Sequence, residues 1–310
     1  MGQDIVVLGV FVADTSYRAD RAPRMGETIM GNSFALGPGG KGSNQAVAAA
    51  KAGGRVHFIS RLGRDPFAEM ALATWADAGV IPKVTQHDES YTGAAYIFVE
   101  EASGDNAIII CPGVASTIST ADLDAHTALI RDAAVFITQL EQPMAAAHHG
   151  LAMAREGGAV TILNPAPAAE LPAGMLALCD YVTPNESEAE ALTGVPVTSV
   201  AEATKAAEAL LTAGVGTAIL TLGENGALFH DGTQPVHVPA FNAGPVVETT
   251  GAGDAFNGGF AAALARGMHP LDAVRFGSAT AAISVTRPGT APSMPNLDEV
   301  RALLATSGNT

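Results

Sequence analysis

The sequence predicts an α/β fold, a three-layer sandwich with a mostly parallel central sheet and a small β lid. Short β-rich runs alternate with Ala-rich helical stretches, which builds such a sheet with helices on both faces. The composition is 48% hydrophobic but only 5% aromatic, which favours helices packed closely on a sheet over a β-sandwich. With 310 residues the chain can bury one large core, so we expect a single domain over residues 1–310.

The strands of the core are the apolar runs of the chain. The first covers residues 5–12, and the others cover residues 56–61, 134–139, 159–163, 181–183 and 217–222. Parallel sheets bind ligands beyond the carboxyl ends of their strands. Functional residues are therefore expected in the strand-to-helix loops.

Two regions break the strand–helix alternation. Residues 15–36 contain Pro23 and several glycines, and segments 93–101 and 107–110 look like hairpin strands. Strand pairs without an intervening helix do not fit a parallel core. We therefore predict a lid subdomain, formed by approximately residues 12–38 and 92–111, over the ligand site.

Composition excludes several classes of protein. The formal charge of −15 argues against nucleic acid binding, which relies on Lys and Arg. Cys111 and Cys179 lack metal-ligand spacing, so reduced, buried thiols are expected. The sequence has no signal-peptide pattern and no apolar run near the ~20 residues that span a bilayer. A cytoplasmic protein without membrane partners is the expectation.

The first motif is GGKGSNQAVAAAKAG, residues 39–53, a glycine-rich loop that enters an Ala-rich helix. Its glycines allow close approach of backbone to a ligand, Lys41 supplies charge, and Ser43 is expected to cap the helix. It lacks the Walker A pattern, and the first strand is not followed by G-x-G-x-x-G, so P-loop and Rossmann enzymes are disfavoured. A plain loop and helix cap is the alternative.

The second motif is ETTGAGDAFNGGF, residues 248–260, where Gly251, Ala252 and Gly253 lead into a helix with Asp254 in its first turn. Free N–H groups at a helix start form an anion cradle, which suits a phosphoryl group in transfer. Asp254 would accept the proton of an acceptor hydroxyl, and an ordinary pKa of about 3.9 would leave it ionised. Helix capping is the alternative.

The two motifs together resemble the ribokinase group of the PfkB-type family of sugar kinases, from the first strand to about Ser293. The resemblance extends to the segments QLEQP (139–143), LNPAPA (163–168), TPNESEAE (183–190), TLGENG (221–226) and VTRPGTAPS (285–293). It implies a ribokinase-like fold and ATP-dependent phosphorylation of the 5-hydroxyl of a pentose, with D-ribose as first candidate. It also implies Mg²⁺ and an activating K⁺.

The resemblance also implies roles for individual residues. The sugar site would comprise Asp14, Gly40, Lys41, Gly42, Ser43, Asn44 and Glu141, with Asp254 as base. Magnesium and phosphates would be organised by Asn185 and Glu188, for which a helix capping box is the alternative. The nucleotide would contact Thr221, Leu222, Gly223, Glu224, Asn225, Gly226, Gly253 and Ser278, with an ordinary hairpin turn as the alternative for 221–226. The K⁺ site would comprise Glu248, Thr250, Ser284, Arg287, Gly289 and Ser293.

Three positions depart from the family pattern. Val12 replaces the Asn of the usual Asn-x-Asp, so one wall of the sugar site cannot hydrogen-bond. Cys111 replaces a polar residue, as a packed thiol or as a less polar neighbour of the sugar. Glu248 stands where Asp is usual, which adds a methylene beside the expected K⁺ site.

Alternative functions remain open from the sequence. The acceptor could be 2-deoxyribose, another sugar or a nucleoside, and Val12 is the residue that discriminates between them. A sugar or nucleotide sensor without catalysis is the alternative from another class, and the complete GAGD turn argues against it. An exposed lid sheet could also pair two copies into a homodimer.

Overall fold

The computed structural model describes residues 3–307 and contains a nine-stranded central sheet. Its strands are β1 (Asp4–Leu8), β4 (Arg55–Gly63), β5 (Ile81–His87), β8 (Val135–Thr138), β9 (Val160–Leu163), β10 (Tyr181–Val182), β11 (Thr217–Thr221), β12 (Ala227–His230) and β13 (Val236–Val238). The strand order is β13-β12-β11-β10-β9-β8-β1-β4-β5. Strands β12 and β13 run antiparallel to their neighbours and the others are parallel, as expected.

A second sheet has four strands, β2 (Val12–Ala19), β3 (Ser33–Gly39), β6 (Thr92–Glu100) and β7 (Asn106–Gly113), in the order β3-β2-β6-β7. It combines the two regions in which the sequence breaks the strand–helix alternation. Strand β2 lies parallel to β6, whereas β3 and β7 are antiparallel edges. We call this the small sheet.

Helices cover both faces of the central sheet. They are α1 (Lys41–Lys51), α2 (Pro66–Ala78), α3 (Thr120–Asp124), α4 (Thr127–Arg131), α5 (Met144–Gly157), α6 (Glu186–Thr193), α7 (Val200–Thr212), α8 (Ala252–Ala265), α9 (Pro270–Ser284) and α10 (Leu297–Ser307). Among the described residues, no helix combines the length and apolar character needed to cross a bilayer.

The central strands are buried on both sides, which creates two apolar cores. Ile5 and Val7 of β1 face the core covered by α1, α2, α8, α9 and α10, whereas Val6 and Leu8 face the core covered by α3 to α7. Alternate side chains of a strand point to opposite faces, so a continuous apolar run serves both layers. The three-layer architecture predicted from the sequence is confirmed.

The chain reverses its direction of winding at β1, whose neighbours are β4 on one side and β8 on the other. Such a switch point leaves a crevice at the carboxyl ends of the strands. The loops after β1 and β8 and the start of α1 meet there. Their contacts build the site described below.

Three local predictions need correction. The first apolar run does not form one strand, because β1 ends at Leu8 and β2 of the small sheet begins at Val12. Ser43 does not cap α1, since the N-cap is Gly40 and the Ser43 hydroxyl accepts a hydrogen bond from Trp75 Nε1 at 2.9 Å. Cys179 is buried, but the Cys111 thiol is exposed on β7 and is not packed.

Candidate active site

Asp254 lies in the first turn of α8, three residues after the N-cap Gly251, whose φ of 81° is left-handed. The side chain is buried, with 7% exposure. Its Oδ2 accepts a hydrogen bond from Asn44 Nδ2 and its Oδ1 accepts one from Gln45 Nε2, both at 3.0 Å. Two residues of α1 therefore hold a carboxylate about 210 positions away in the chain.

The environment of Asp254 changes its acidity. Burial raises the pKa of this carboxyl, and the charge of Lys41 and the hydrogen bonds from Asn44 and Gln45 oppose the increase. The sequence-based expectation of an ordinary pKa is therefore wrong, because the sequence does not reveal the loss of water around this side chain. A raised pKa makes a carboxylate a better proton acceptor.

Two further carboxyls face the same space. Burial raises the pKa of Glu141 to about 7, with Lys41 opposing and Asp254 and Asp14 adding to the increase. Burial also raises the pKa of Asp14 to about 6, and the charges of Asp254 and Glu248 add to it. Clustered carboxylates with one nearby Lys form a polar wall that suits the hydroxyl groups of a polyol.

Glycines shape the loop in front of this wall. Gly40 has φ 87°, and a Cβ there would come within 2.5 Å of the Val10 carbonyl oxygen. A Cβ on Gly39 would come within 2.1 Å of Asp14 Oδ2, so the carboxylate lies directly on the loop backbone. Larger residues would displace the loop or the carboxylate, which is the physical reason for the glycines.

Asn44 retains one unused hydrogen-bond acceptor. Its Nδ2 donates to Asp254, whereas its buried Oδ1 has no partner among the described residues. Buried polar atoms are nearly always hydrogen-bonded. Asn44 therefore carries a buried acceptor oxygen that no described residue satisfies.

The GAGD turn has the geometry of an anion cradle. The N–H groups of Gly253 and Asp254 belong to the first turn of α8, where N–H groups lack partners within the helix. A Cβ on Gly253 would meet no atom within 4 Å, so the turn faces open space. The Ala252 N–H instead donates to Thr249 O at 3.1 Å and helps to close the turn.

Asn185 and Glu188 form the capping box of α6. The Glu188 N–H donates to Asn185 Oδ1 at 2.8 Å, and the Asn185 N–H donates to Glu188 Oε2 at 2.9 Å. Glu188 is also within the electrostatic influence of Lys41 and Asp254, while burial raises its pKa. The helix capping box given as the alternative for this pair is thus present, and it occupies Oε2 of Glu188.

The turn at 221–226 lies beside this capping box. It joins the antiparallel strands β11 and β12, and Thr221 forms a bridge to Asn185 through a 3.0 Å hydrogen bond from its N–H to Pro184 O. The turn is therefore a hairpin, and it also adjoins the Asn185–Glu188 pair. Ser278 lies buried on α9.

The residues expected around K⁺ come together only in part. The Gly289 N–H donates to Glu248 Oε2 at 2.8 Å, and the N–H groups of Val247 and Glu248 both donate to Val285 O. The hydroxyls of Ser284 and Ser293 donate to the carbonyls of Ala281 and Thr290, and Arg287 pairs with Glu299. Thr250 is exposed. The described residues contain no cluster of three His, Cys, Asp or Glu that could hold a metal ion.

Sequence reasoning missed a buried set of amides and one hydroxyl around Asp254. Its members are Gln45, Gln139, Asn164, Thr183 and Asn257. Three of them directly follow a strand of the central sheet, Gln139 after β8, Asn164 after β9 and Thr183 after β10. A polar residue at the carboxyl end of a buried strand is the signal that could have found them.

Comparisons with known proteins agree with this geometry. The sequence profile of the pfkB family carbohydrate kinases matches residues 3–297. The chain is 36% identical over 305 residues to a ribokinase from Haemophilus influenzae, covering 98% of this chain and 99% of that protein. It is equally 36% identical, over 304 residues, to a deoxyribokinase from Salmonella typhi, covering 97% and 99%.

A solved structure shares the fold. The ribokinase of Arabidopsis thaliana, complexed with ribose and ATP, has a TM-score of 0.92 and 30% identity, covering 98% of this chain and 99% of that one. The predicted ribokinase-like fold is confirmed. With a family profile that matches nearly the whole chain, this protein belongs to the pfkB family of carbohydrate kinases.

Proposed function

We propose that this protein transfers the terminal phosphoryl group of ATP to the 5-hydroxyl of a pentose. The observation that carries the proposal is the position of Asp254. Its carboxylate is buried, held by Asn44 and Gln45, and placed in the helix turn that contains the anion cradle. One turn thus combines a proton acceptor with N–H groups for an anionic phosphoryl group.

Asp254 acts as the base in the proposed reaction. It accepts the proton of the 5-hydroxyl while the sugar oxygen forms a bond to the γ-phosphorus and the bond from that phosphorus to the β,γ-bridging oxygen breaks, releasing ADP. The N–H groups of Gly253 and Asp254 and the Lys41 ammonium stabilise negative charge on the phosphoryl oxygens. Asp14, Asn44 and Glu141 bind the other hydroxyls, with Gly40 shaping the loop and Gly42 and Ser43 in the first turn of α1.

The nucleotide is proposed to bind along the turn at 221–226, with Ser278 near the base. Glu188 would hold hydrated magnesium through Oε1, since its Oε2 accepts from Asn185 N–H. Magnesium keeps several waters and binds phosphates readily, so one carboxylate suffices. The ion supplies charge neutralisation at the phosphates.

A potassium ion is proposed beside the anion cradle. The segment that contains Glu248 is hydrogen-bonded to Val285 and Gly289. Carboxylate, hydroxyl and backbone oxygens of these two segments could bind the ion. The Arg287 side chain is engaged by Glu299, which reduces its competition with a cation. K⁺ would set the position of the loop next to Gly251.

The pentose is proposed to be D-ribose, with 2-deoxyribose as the second candidate. Val12 favours the second, because it is 5% exposed, lies two residues before Asp14 on β2 and thus points to the same face of the small sheet. An apolar side chain tolerates a missing hydroxyl. The 36% identity to a deoxyribokinase is consistent with either candidate.

The small sheet is proposed to act as a lid and as the interface of a homodimer. The strand register aligns Leu36, Tyr96 and Ile109 across β3, β2, β6 and β7, and all three are exposed. Tyr17 and Phe34 extend this apolar face with rings 5.0 Å apart. A second copy would cover it, whereas Ile109→Lys should give monomers in light scattering.

A cytoplasmic location is proposed for this protein. Both cysteines are free, which suits a reducing compartment. ATP is also abundant there.

The proposed reaction is tested by ADP release from the purified protein with Mg²⁺ and ATP. The panel contains D-ribose, 2-deoxyribose, other pentoses, hexoses and nucleosides, each with and without K⁺. Turnover of a pentose to its 5-phosphate supports the proposal. Binding of sugar by calorimetry without ADP release from any acceptor would instead identify a sensor.

A further inference from the structure

Gln45 and Gln139 form a continuous chain of buried amides that ends on Asp254. Both side chains are fully buried. Gln139 Nε2 donates to Gln45 Oε1 at 2.5 Å, and Gln45 Nε2 donates to Asp254 Oδ1 at 3.0 Å. The second hydrogen of Gln45 Nε2 goes to Asn164 Oδ1, also at 3.0 Å.

The charge of Asp254 fixes the direction of this chain. A carboxylate only accepts hydrogen bonds, so the Gln45 nitrogen must face Asp254 and its oxygen must face Gln139. The Gln139 amide must then present its nitrogen to Gln45. With both hydrogens and the oxygen of Gln45 engaged, a flipped amide would place oxygen against the carboxylate.

The far end of the chain is anchored at the switch point of the central sheet. Gln139 Oε1 lies against the Cα atoms of Gly9 and Gly42, where an added Cβ would come within 2.6 Å and 2.7 Å of it. The Gln139 side chain is therefore wedged between the loop after β1 and the start of α1. The backbone of Gly9 and Gly42 therefore limits the positions that the Gln139 side chain can adopt.

The branch to Asn164 provides a second anchor. Asn164 Nδ2 donates to the carbonyl oxygen of Thr183, at the next strand of the sheet. The Gln45 amide is thus held from β8 through Gln139 and from β9 through Asn164. A donor fixed on two sides restricts rotation of the Asp254 carboxylate about its own axis.

We propose that Gln45, oriented by Gln139, is a positioning residue that holds the Asp254 carboxylate in the plane in which it takes the proton of the acceptor hydroxyl. Without Gln45, Asn44 would donate only to Oδ2 of Asp254. Oδ1 of Asp254 would then have no donor, and the carboxylate could rotate. The inference rests on the proposed role of Asp254 as base. Because a well-aligned acceptor lowers the barrier of proton transfer, loss of Gln45 should act on kcat more than on sugar binding.

The first test is Gln45→Met, with ATP, Mg²⁺ and the better of D-ribose and 2-deoxyribose. We expect kcat to fall about 10- to 100-fold with the sugar KM within about threefold. The acid limb of kcat should also move to higher pH, since the Gln45 hydrogen bond lowers the pKa of Asp254. The control is Gln142→Met, because Gln142 is also buried but donates to Thr138 Oγ1 and Gln139 O instead.

The second test keeps the volume of the side chain. Gln45→Glu places a carboxyl next to Asp254, and two carboxyls at one site raise the pKa of one of them. The acid limb of the kcat–pH profile should therefore move to higher pH by at least about one unit. This variant also serves where Gln45→Met does not fold, as judged by thermal unfolding of both.

The third test concerns Gln139. Gln139→Met should lower kcat. The double variant Gln45→Met/Gln139→Met should have a kcat only slightly below that of Gln45→Met alone, because the two amides act as one unit. Gln45 would have only a packing role if Gln45→Met kept the wild-type kcat and the wild-type acid limb of the kcat–pH profile, and lowered only the Tm, as Gln142→Met does. If Asp254→Asn also retained full turnover, the proposed base itself would be wrong.

Discussion

The main-chain N–H of Lys41 donates a 2.8 Å hydrogen bond to Glu141 Oε2, 100 positions further along the chain. Lys41 is the first residue of α1 and Glu141 lies in the loop after β8. A carboxylate is stabilised at a helix start. The contact joins the start of α1 to the loop after β8 in one wall of the site, so protonation of Glu141 should alter that wall.

Glu141→Gln should change how stability depends on pH. Burial raises the pKa of Glu141 from 4.5 to about 7, so the folded chain holds this proton more tightly than the unfolded chain. The resulting stabilisation is complete below about pH 4.5 and is lost as the pH rises through about 7. Glu141→Gln has no such titration. Between pH 5 and pH 8 its free energy of unfolding should therefore rise relative to that of wild type by about 1 to 3 kcal/mol. Urea unfolding at both pH values measures it, with exposed Glu208→Gln as control.

Asp254→Asn should abolish most turnover while sugar binding persists. The amide keeps the shape of the side chain but cannot accept the hydroxyl proton, so kcat should fall about 10²- to 10⁴-fold. ADP release measures kcat and calorimetry measures the sugar Kd. Asp272→Asn is the matched control, as Asp272 lies in the first turn of α9. Wild-type kcat in Asp254→Asn would remove this residue as the base.

Val12→Asn should shift the choice between pentoses. An amide at this buried position can pair with a sugar hydroxyl, and without that hydroxyl it is left unpaired. The ratio of kcat/KM for D-ribose to that for 2-deoxyribose should rise about tenfold. Val80→Asn, a similarly buried Val after α2, controls for the cost of a buried amide. An unchanged ratio in Val12→Asn would place Val12 outside the sugar contacts.

Gly40→Ala should disturb the loop before α1 and weaken sugar binding, whereas Gly79→Ala should not. Gly40 and Gly79 both have a positive φ, 87° and 78°, but only Gly79 is in the αL region, since ψ is 125° at Gly40 and 19° at Gly79. A Cβ on Gly40 would come within 2.5 Å of Val10 O, whereas one on Gly79 would meet nothing within 4 Å. Gly79→Ala should cost about 1 kcal/mol of stability and leave the sugar KM unchanged. Gly40→Ala should cost more and raise KM, and equal effects on both measurements would contradict this.

His57→Leu should remove an acid-sensitive feature of the fold. Burial lowers the pKa of His57 from 6.5, although Asp4 opposes the shift, so the unfolded chain binds this proton more tightly. The His57 contribution to stability is therefore present above about pH 6.5 and is lost as the pH falls below it. The variant should lose less stability than wild type between pH 7 and pH 5. Exposed His269→Leu, measured in the same way, is the matched control for the change from His to Leu.

Local signals in the sequence determined much of this protein. The apolar runs predicted the parallel strands, because a strand buried on both faces has no polar alternation. Glycines and an Asp predicted the start of α8 with Asp254 in its first turn, since the residue preferences of a helix start are a local property. The two motifs also identified the carbohydrate kinase family.

Only the tertiary structure decided what surrounds those residues. The raised pKa values of Asp254 and Glu141 arise from burial by segments distant in sequence. The chain from Gln139 through Gln45 to Asp254 joins three segments, and Cys111 is exposed on a strand whose side chains are exposed at nearly every position. Periodicity and turn chemistry encode the conformation of a segment, whereas water exclusion and hydrogen-bond partners depend on how segments pack together.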